Sequence, residues 1–371
     1  MNALHPLRSA MRAPRATSRG FSLVEIMVGL AIAMVGVLIM MEVLITAERQ
    51  NVSTTSGNDA MSTGAVMLHL LERDLVQAGY GINSTSLFGC NLTLATGPVV
   101  PLAPVLINPA TTLLPAGDAN TDRLLVFYGN DVGQPEGNLI FGGPAAPVAP
   151  QTGVATYSMQ AASTFHIGDR VVIYPNSCGA GLSLATVTYV DNLTVTTDTS
   201  VAGALNGTMY NMGRSPKIVG YRIHNAALES CDYLASDCRT NGGQWIAVGA
   251  NVVSLRAQYG SDTLSAHPAG IVDTWSQTTP TTACGWVRTA AVRLVVVARS
   301  DSYETKIDST TKQRTCDTVT AAAPAWKGAS GASANPVDLT SYANWGCYRY
   351  RTFENTAPTR NIIFMGTESG C

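Results

Sequence analysis

The chain has 371 residues, 46% of them hydrophobic and only 13% charged, with 34 glycines and 18 prolines, a turn-rich and β-leaning composition long enough to bury a large core. Its formal net charge of −2 is uneven: residues 1–20 hold Arg8, Arg12, Arg15 and Arg19 and no acid, which leaves 19 basic against 25 acidic residues after Gly20. That balance excludes a basic patch suited to nucleic acid.

The basic leader runs into an apolar stretch, Phe21 to Met41, whose only charge is Glu25. At 1.5 Å per residue, a helix of about 21 residues is about 30 Å long, enough to cross a bilayer core. The positive-inside rule places the leader on the cytoplasmic side. A cleaved secretory signal predicts a shorter apolar core and a small-x-small site, which Leu44-Ile45-Thr46-Ala47-Glu48 matches poorly. A plain anchor accounts for flank and length but not for Gly20 or for Glu25, since an ionisable group within a membrane span costs up to about 3 kcal/mol and calls for a partner.

Beyond the span the helix is expected to continue through Glu42 to Arg49, with a weak stretch at Asn51–Asp59 that bends or melts. Amphipathic periodicity returns at Met61, Ala65, Leu68, Leu71 and Leu75 and stops at Gly79-Tyr80-Gly81. Residues 82–120, broken by Pro98, Pro101, Pro104 and Pro109, read as turns and loops. Strands are expected at 123–128, 169–174, 217–223, 250–259 and 287–298, and a hairpin at 185–190 and 193–197 around Asp191-Asn192. Gly142–Gly153 and Thr318–Pro336 read as long loops within one head. The sum is an α+β chain: a long N-terminal helix, transmembrane in its first half and amphipathic in its second, packed on a large, mainly antiparallel β head with long loops.

All eight cysteines follow the apolar helix, which favours disulfides in an oxidising compartment; Cys231 and Cys238, seven apart, are the candidate pair, and the other six are not paired by sequence. No C-x-x-C or H-x-x-x-H spacing exists and His5, His69, His166, His224 and His267 are scattered, so no metal site is expected. Nor does the chain hold G-x-S-x-G, G-x-x-x-x-G-K-[ST] or H-E-x-x-H. Asp118/Asp122 and Asp169/Asp191 read as turn residues and strand-end charges. No catalytic residue and no cofactor is expected.

The segment Arg19-Gly20-Phe21-Ser22-Leu23-Val24-Glu25 resembles the class III signal of type IV prepilins and pseudopilins. The resemblance implies that a membrane prepilin peptidase cuts between Gly20 and Phe21 and methylates the new amine of Phe21. It also implies that Glu25 is neutralised by the amine of a neighbouring subunit, which sets register during assembly. The cut is physically reasonable at glycine, which has no side chain to obstruct a protease cleft. Four further blocks resemble the PilW family of minor pilins: Leu71-Glu72-Arg73-Asp74-Leu75 through Tyr80, Tyr259-Gly260 after an expected strand, Val292-Arg293-Leu294 through Ser300, and Tyr348-Arg349-Tyr350-Arg351 through Arg360-Asn361. The likeness is strong at the two ends of the chain and weak over about 82–215.

The division this implies is a cleaved leader at 1–20, a transmembrane and filament-core helix at 21–42, an amphipathic helix at 43–81 and an extracytoplasmic, disulfide-bonded head at 82–371. The implied role is a minor pilin that primes or caps a type IV pilus within a tip complex. Its implied partners are the prepilin peptidase, the other minor pilins, the major pilin, the inner membrane and a large tip adhesin. Before assembly the head lies in the periplasm, and afterwards on the pilus at the cell surface. The alternatives are a pseudopilin of a type II secretion system and, from another class, a membrane-anchored extracytoplasmic hydrolase or carbohydrate-binding module. In the tail, alternating Tyr348, Arg349, Tyr350 and Arg351 read first as the two faces of a strand and second as a partner contact.

Overall fold

No proline interrupts the chain from Leu23 to Gln77, and the whole stretch forms one 55-residue helix, α1. The computed structural model describes residues 20–94, 97–130, 136–142, 153–264, 269–330, 337–363 and 371. The leader before Gly20, residues 143–152 and 331–336 of the two expected long loops, and His5 and His267 lie outside the described residues.

Two units are distinguished, Met1–Thr54 and Thr55–Cys371. In the first, the large apolar side chains from Phe21 to Ile45 are exposed and the most apolar window has a mean hydropathy of 2.6, long and apolar enough to cross a membrane. The expected break at Asn51–Asp59 is corrected: these residues are helical. Weak propensity costs only tenths of a kcal/mol per residue, and a stretch joined to helix at both ends needs no new nucleus. Thr54 Oγ1 also donates to Gln50 O at 2.9 Å within the helix.

In the second unit α1 buries Ser56, Ala60, Gly64, Met67, Leu71, Asp74 and Leu75. This corrects the expected face, because Met61 and Ala65 are exposed. Small residues line its first turns because the head comes close there: a Cβ on Gly64 would run into the Phe353 ring, while Met67 fills the space that a Cβ on Gly249 would need.

The first strands are β1 (Asn91–Thr93), β2 (Val99–Pro101), β3 (Val105–Ile107), β4 (Leu124–Tyr128), β5 (Asn138–Gly142), β6 (Ala155–Met159), β7 (Arg170–Tyr174), β8 (Leu182–Asp191), β9 (Thr194–Thr197) and β10 (Thr208–Gly213). Then come β11 (Lys217–His224), β12 (Ala227–Asp232), β13 (Ile246–Ala250), β14 (Val252–Ser261), β15 (Thr274–Ser276), helix α2 (Ala283–Val287), β16 (Thr289–Arg299), β17 (Thr305–Ile307), β18 (Arg314–Cys316), β19 (Tyr350–Pro358) and α3 (Arg360–Ile363). Each expected strand is present within a few residues. The stretch 82–120, expected as loop, carries β1, β2 and β3, three residues each, too short to show a period in sequence.

Two antiparallel sheets, ordered β13-β12-β11-β4-β3 and β15-β14-β16-β19, share one core with the buried face of α1. Trp286 of α2 is buried in that core, edge-on to Phe88 and Tyr259 at 5.7 and 5.9 Å. A second core lies elsewhere. β4 and β11 are paired neighbours, Tyr128 opposite Lys217, yet residues 129–216 intervene. Within that insert the order β8-β7-β10-β5-β6-β9, with β9 returning to β8, closes a six-stranded barrel. It is filled by Ile140, Tyr157, Val171, Ile173, Val187, Val195 and Met209. The barrel joins the head through β1, which pairs parallel with β8.

Candidate functional site

The residues of the processing and assembly motif fall within two turns of chain. Gly20 and Phe21 precede the helix, Phe21 is 81% exposed, and a Cβ on Gly20 would meet nothing within 4 Å. Among the described residues nothing crowds this position. Glu25 stands in the first turn of α1. Its Oε2 accepts from the Ser22 N–H at 3.4 Å, while Ser22 O accepts from Glu25 N at 3.0 Å and Ile26 N at 3.1 Å. Ser22-x-x-Glu25 is thus one half of a capping box, in which the third helical residue reaches back to the cap. The sequence signal was present as S-x-x-E and is a second use of the same carboxylate. An acidic group in the first turn also opposes the positive end of the helix dipole.

At the other end of α1, three sequence blocks that lie far apart come together. Asp74, buried on the helix, accepts from the Tyr221 hydroxyl of β11, and its Oδ1 accepts from Arg73 Nε and Nη2 at 3.1 Å each. Tyr128 of β4 also bonds the Asp74 side chain. Asn361 of α3 donates from Nδ2 to Gln77 O and Ala78 O at 3.1 Å each, satisfying carbonyls that the end of a helix leaves open. Phe353 of β19 covers Gly64. Helix and head are therefore pinned by a buried carboxylate, a ring and an amide.

Burial, and then the Asp74 carboxylate, push the hydroxyls of Tyr221 and Tyr128 above the ordinary tyrosine value of 10.0. A raised folded-state value gives stability that is complete below the unfolded value and is lost as pH climbs toward the folded one. The head is accordingly expected to weaken above pH 10, and Tyr221→Phe to flatten that loss. Urea midpoints measured from about pH 8 to 11 test this; an unchanged pH slope in the variant contradicts it.

The Asp118/Asp122 pair makes no acid–base couple. Asp118 accepts from Asn225 N at 2.9 Å, Ala226 N at 2.8 Å and Tyr342 Oη at 2.7 Å, holding a turn in which both residues have positive φ. Asp122 is buried against Arg256 Nη1 at 3.2 Å and also accepts from Asn108, Gln277 and the Ala257 N–H. Asp169 accepts from His166 N and Asn211 Nδ2, and Asp191 lies across the hairpin from Thr194. The tail residues are largely engaged within the chain: Arg349 pairs with Glu304, Arg299 lies 4.3 Å from the Tyr348 ring, and Tyr350 is buried.

Cys231, on β12, is bonded to Cys238, and both are buried. The remaining pairs are Cys90–Cys178, Cys284–Cys371 and Cys316–Cys347. Among the described residues no group of three or more His, Cys, Asp or Glu is arranged to hold a metal ion.

Residues 230–361 match the family described as Type IV Pilus-assembly protein W, and residues 15–41 match the Prokaryotic N-terminal methylation motif. No curated protein and no solved structure matches the chain. The first match spans β13 to β19 and reaches Asn361, and the second spans Gly20, Phe21 and Glu25. The barrel lies outside both.

Proposed function

We propose, on the premise that this chain is a PilW-family type IV pilus-assembly protein carrying a prepilin methylation motif, that it serves at the end of the filament, priming or capping it with other minor pilins. It is a minor pilin, a structural subunit and not an enzyme. The prepilin motif implies processing by a prepilin peptidase, and the apolar helix implies membrane anchoring before assembly into the pilus. In this reading the peptidase cuts after Gly20, Phe21 becomes the methylated N-terminus, and Glu25 meets the amine of a neighbouring subunit. The leader, the apolar helix at 21–42, its amphipathic continuation at 43–81 and the head at 82–371 are then the working parts of the subunit.

One observation carries the proposal: a single chain joins a methylation motif on an exposed apolar helix to a PilW-type head whose sheets hold the C-terminal half of that helix. The head is also bulky, since a barrel of about 75 residues is inserted between β4 and β11. Such bulk is hard to repeat along a thin, densely packed filament, and a subunit used once at the end escapes the crowding. A type II secretion pseudopilin shares the N-terminal motif, but residues 230–361 of the head match a pilus-assembly family.

The test is co-purification of a tagged full-length chain from sheared pili and from membranes. Recovery of minor pilins and a large adhesin at low copy relative to the major pilin is expected. Uniform incorporation along the filament overturns the terminal position, and recovery of secretion-system components alone overturns the pilus.

A further inference from the structure

The insert 129–216 enters and leaves the head through paired neighbours, Tyr128 and Lys217, so its two covalent connections lie side by side like a hinge. It is held to the head in two places: along β1, and where Val172, Tyr210 and Met212 of the insert enter the head core, Met212 against Gly81. Along β1, Leu92 pairs with Leu182 and Thr93 with Ser183, Leu92, Leu182 and Leu184 enter the head core, and Cys90 is bonded to Cys178. Cys90 is buried on the head side; Cys178 sits in the Cys178–Ala180 turn between β7 and β8 and is exposed. Of the eight half-cystines it is the one that is exposed; Cys231, Cys238, Cys347 and Cys371 are buried, and Cys284 and Cys316 are partly covered.

We propose that Cys90–Cys178 is a redox-addressable latch that fixes the barrel on the head, the first of the four disulfides open to an external dithiol. Thiol–disulfide exchange needs in-line access to one sulfur. A thiolate of the dithiol attacks Cys178 Sγ, the Cys178–Cys90 bond breaks, and Cys90 leaves as a thiolate that takes up a proton. The second thiol of the reductant then attacks the mixed disulfide, releasing Cys178 and leaving the reductant as a disulfide. Two electrons pass from the dithiol to the cystine. With the latch open, two residue pairs of parallel ladder, the apolar contacts around Leu92 and those of Val172, Tyr210 and Met212 remain, with no covalent tie besides the connections at 129 and 216. The barrel keeps its own closed sheet and core, and the loosening is felt at the β1–β8 seam.

The experiment uses the full-length chain in detergent, exposed to limiting dithiothreitol, alkylated at intervals and mapped by peptide mass, with hydrogen exchange followed in parallel. Cys90 and Cys178 are expected to alkylate roughly ten times faster than the other six cysteines. Exchange should then rise at Asn91–Thr93 and Leu182–Leu184, while β14 and β16 stay protected. A Cys90→Ser, Cys178→Ser chain that folds should show the same exchange without reductant; the reduction series stands alone if it does not fold. Reduction of any other pair first overturns the latch, as does unchanged exchange at β1 and β8 once Cys90 and Cys178 are alkylated.

Discussion

Gly20→Val leaves the chain at its full 371 residues in the membrane, with Met1 rather than methylated Phe21 at its N-terminus and near-complete loss of the chain from filaments. The physical reason lies at the cut. Gly20 is exposed and its position is open on all sides in this chain, so a valine there is harmless to the fold. The obstruction arises in the cleft of the peptidase, where a β-branched side chain stiffens the backbone and adds bulk next to the bond to be broken. Processing and head stability should therefore separate cleanly: precursor accumulates while the unfolding midpoint is unchanged. Glu25→Ala is the companion variant. It removes the carboxylate that accepts from Ser22 N–H and is proposed to meet a neighbouring amine, but it spares the scissile bond, so the chain should be cut and methylated yet largely missing from pili. Intact-mass analysis of membrane and pilus fractions reads both. A Gly20→Val chain of mature length removes the assignment of the cut, and normal incorporation of Glu25→Ala makes its carboxylate incidental.

Asp74→Ala is expected to cost the head about 2–4 kcal/mol, because it strips the acceptor from two inward-facing tyrosine hydroxyls and leaves a void beneath α1. Arg73 contributes little to that figure, since its side chain is 61% exposed and water replaces the lost partner. Asp74→Asn keeps shape and one acceptor and should lose less. Urea unfolding of the full chain in detergent measures both, and a change below about 0.5 kcal/mol for the alanine variant would show that the carboxylate does not pin the helix. Loosening this junction disconnects the helix proposed to enter the filament from the head it carries, so pilus incorporation should fall even where processing is complete.

Much of this was legible in the chain. Length, charge placement and an uninterrupted apolar run announce the helix and its membrane-competent half, because a bilayer sets the needed length and a leader of four arginines sets the side. Long strands such as β11, β14 and β16 announce themselves because they are rich in Val, Ile, Leu and Tyr over eight or more residues. The weak stretch at 51–59 misled because propensity is a local quantity, whereas the helix is extended from both sides. Register on α1 misled for a related reason: Met61 and Ala65 continue the apolar spacing, but the face that turns inward is chosen by what lies opposite, and Phe353 admits Gly64 there.

Sequence alone determined a long apolar N-terminal helix with a glycine just before it and a carboxylate near its start, and a β-rich remainder holding all eight cysteines, since each follows from local chemistry or from a pattern read along the chain. Tertiary structure alone decided that strands β5 to β10 close into a barrel between two paired strands, which cysteines meet, and that Asp74, Phe353 and Asn361 lie along the C-terminal half of α1. Those facts depend on contacts between residues tens to hundreds of positions apart, and a one-dimensional pattern of hydrophobicity and turns leaves such pairings open until the whole core is packed.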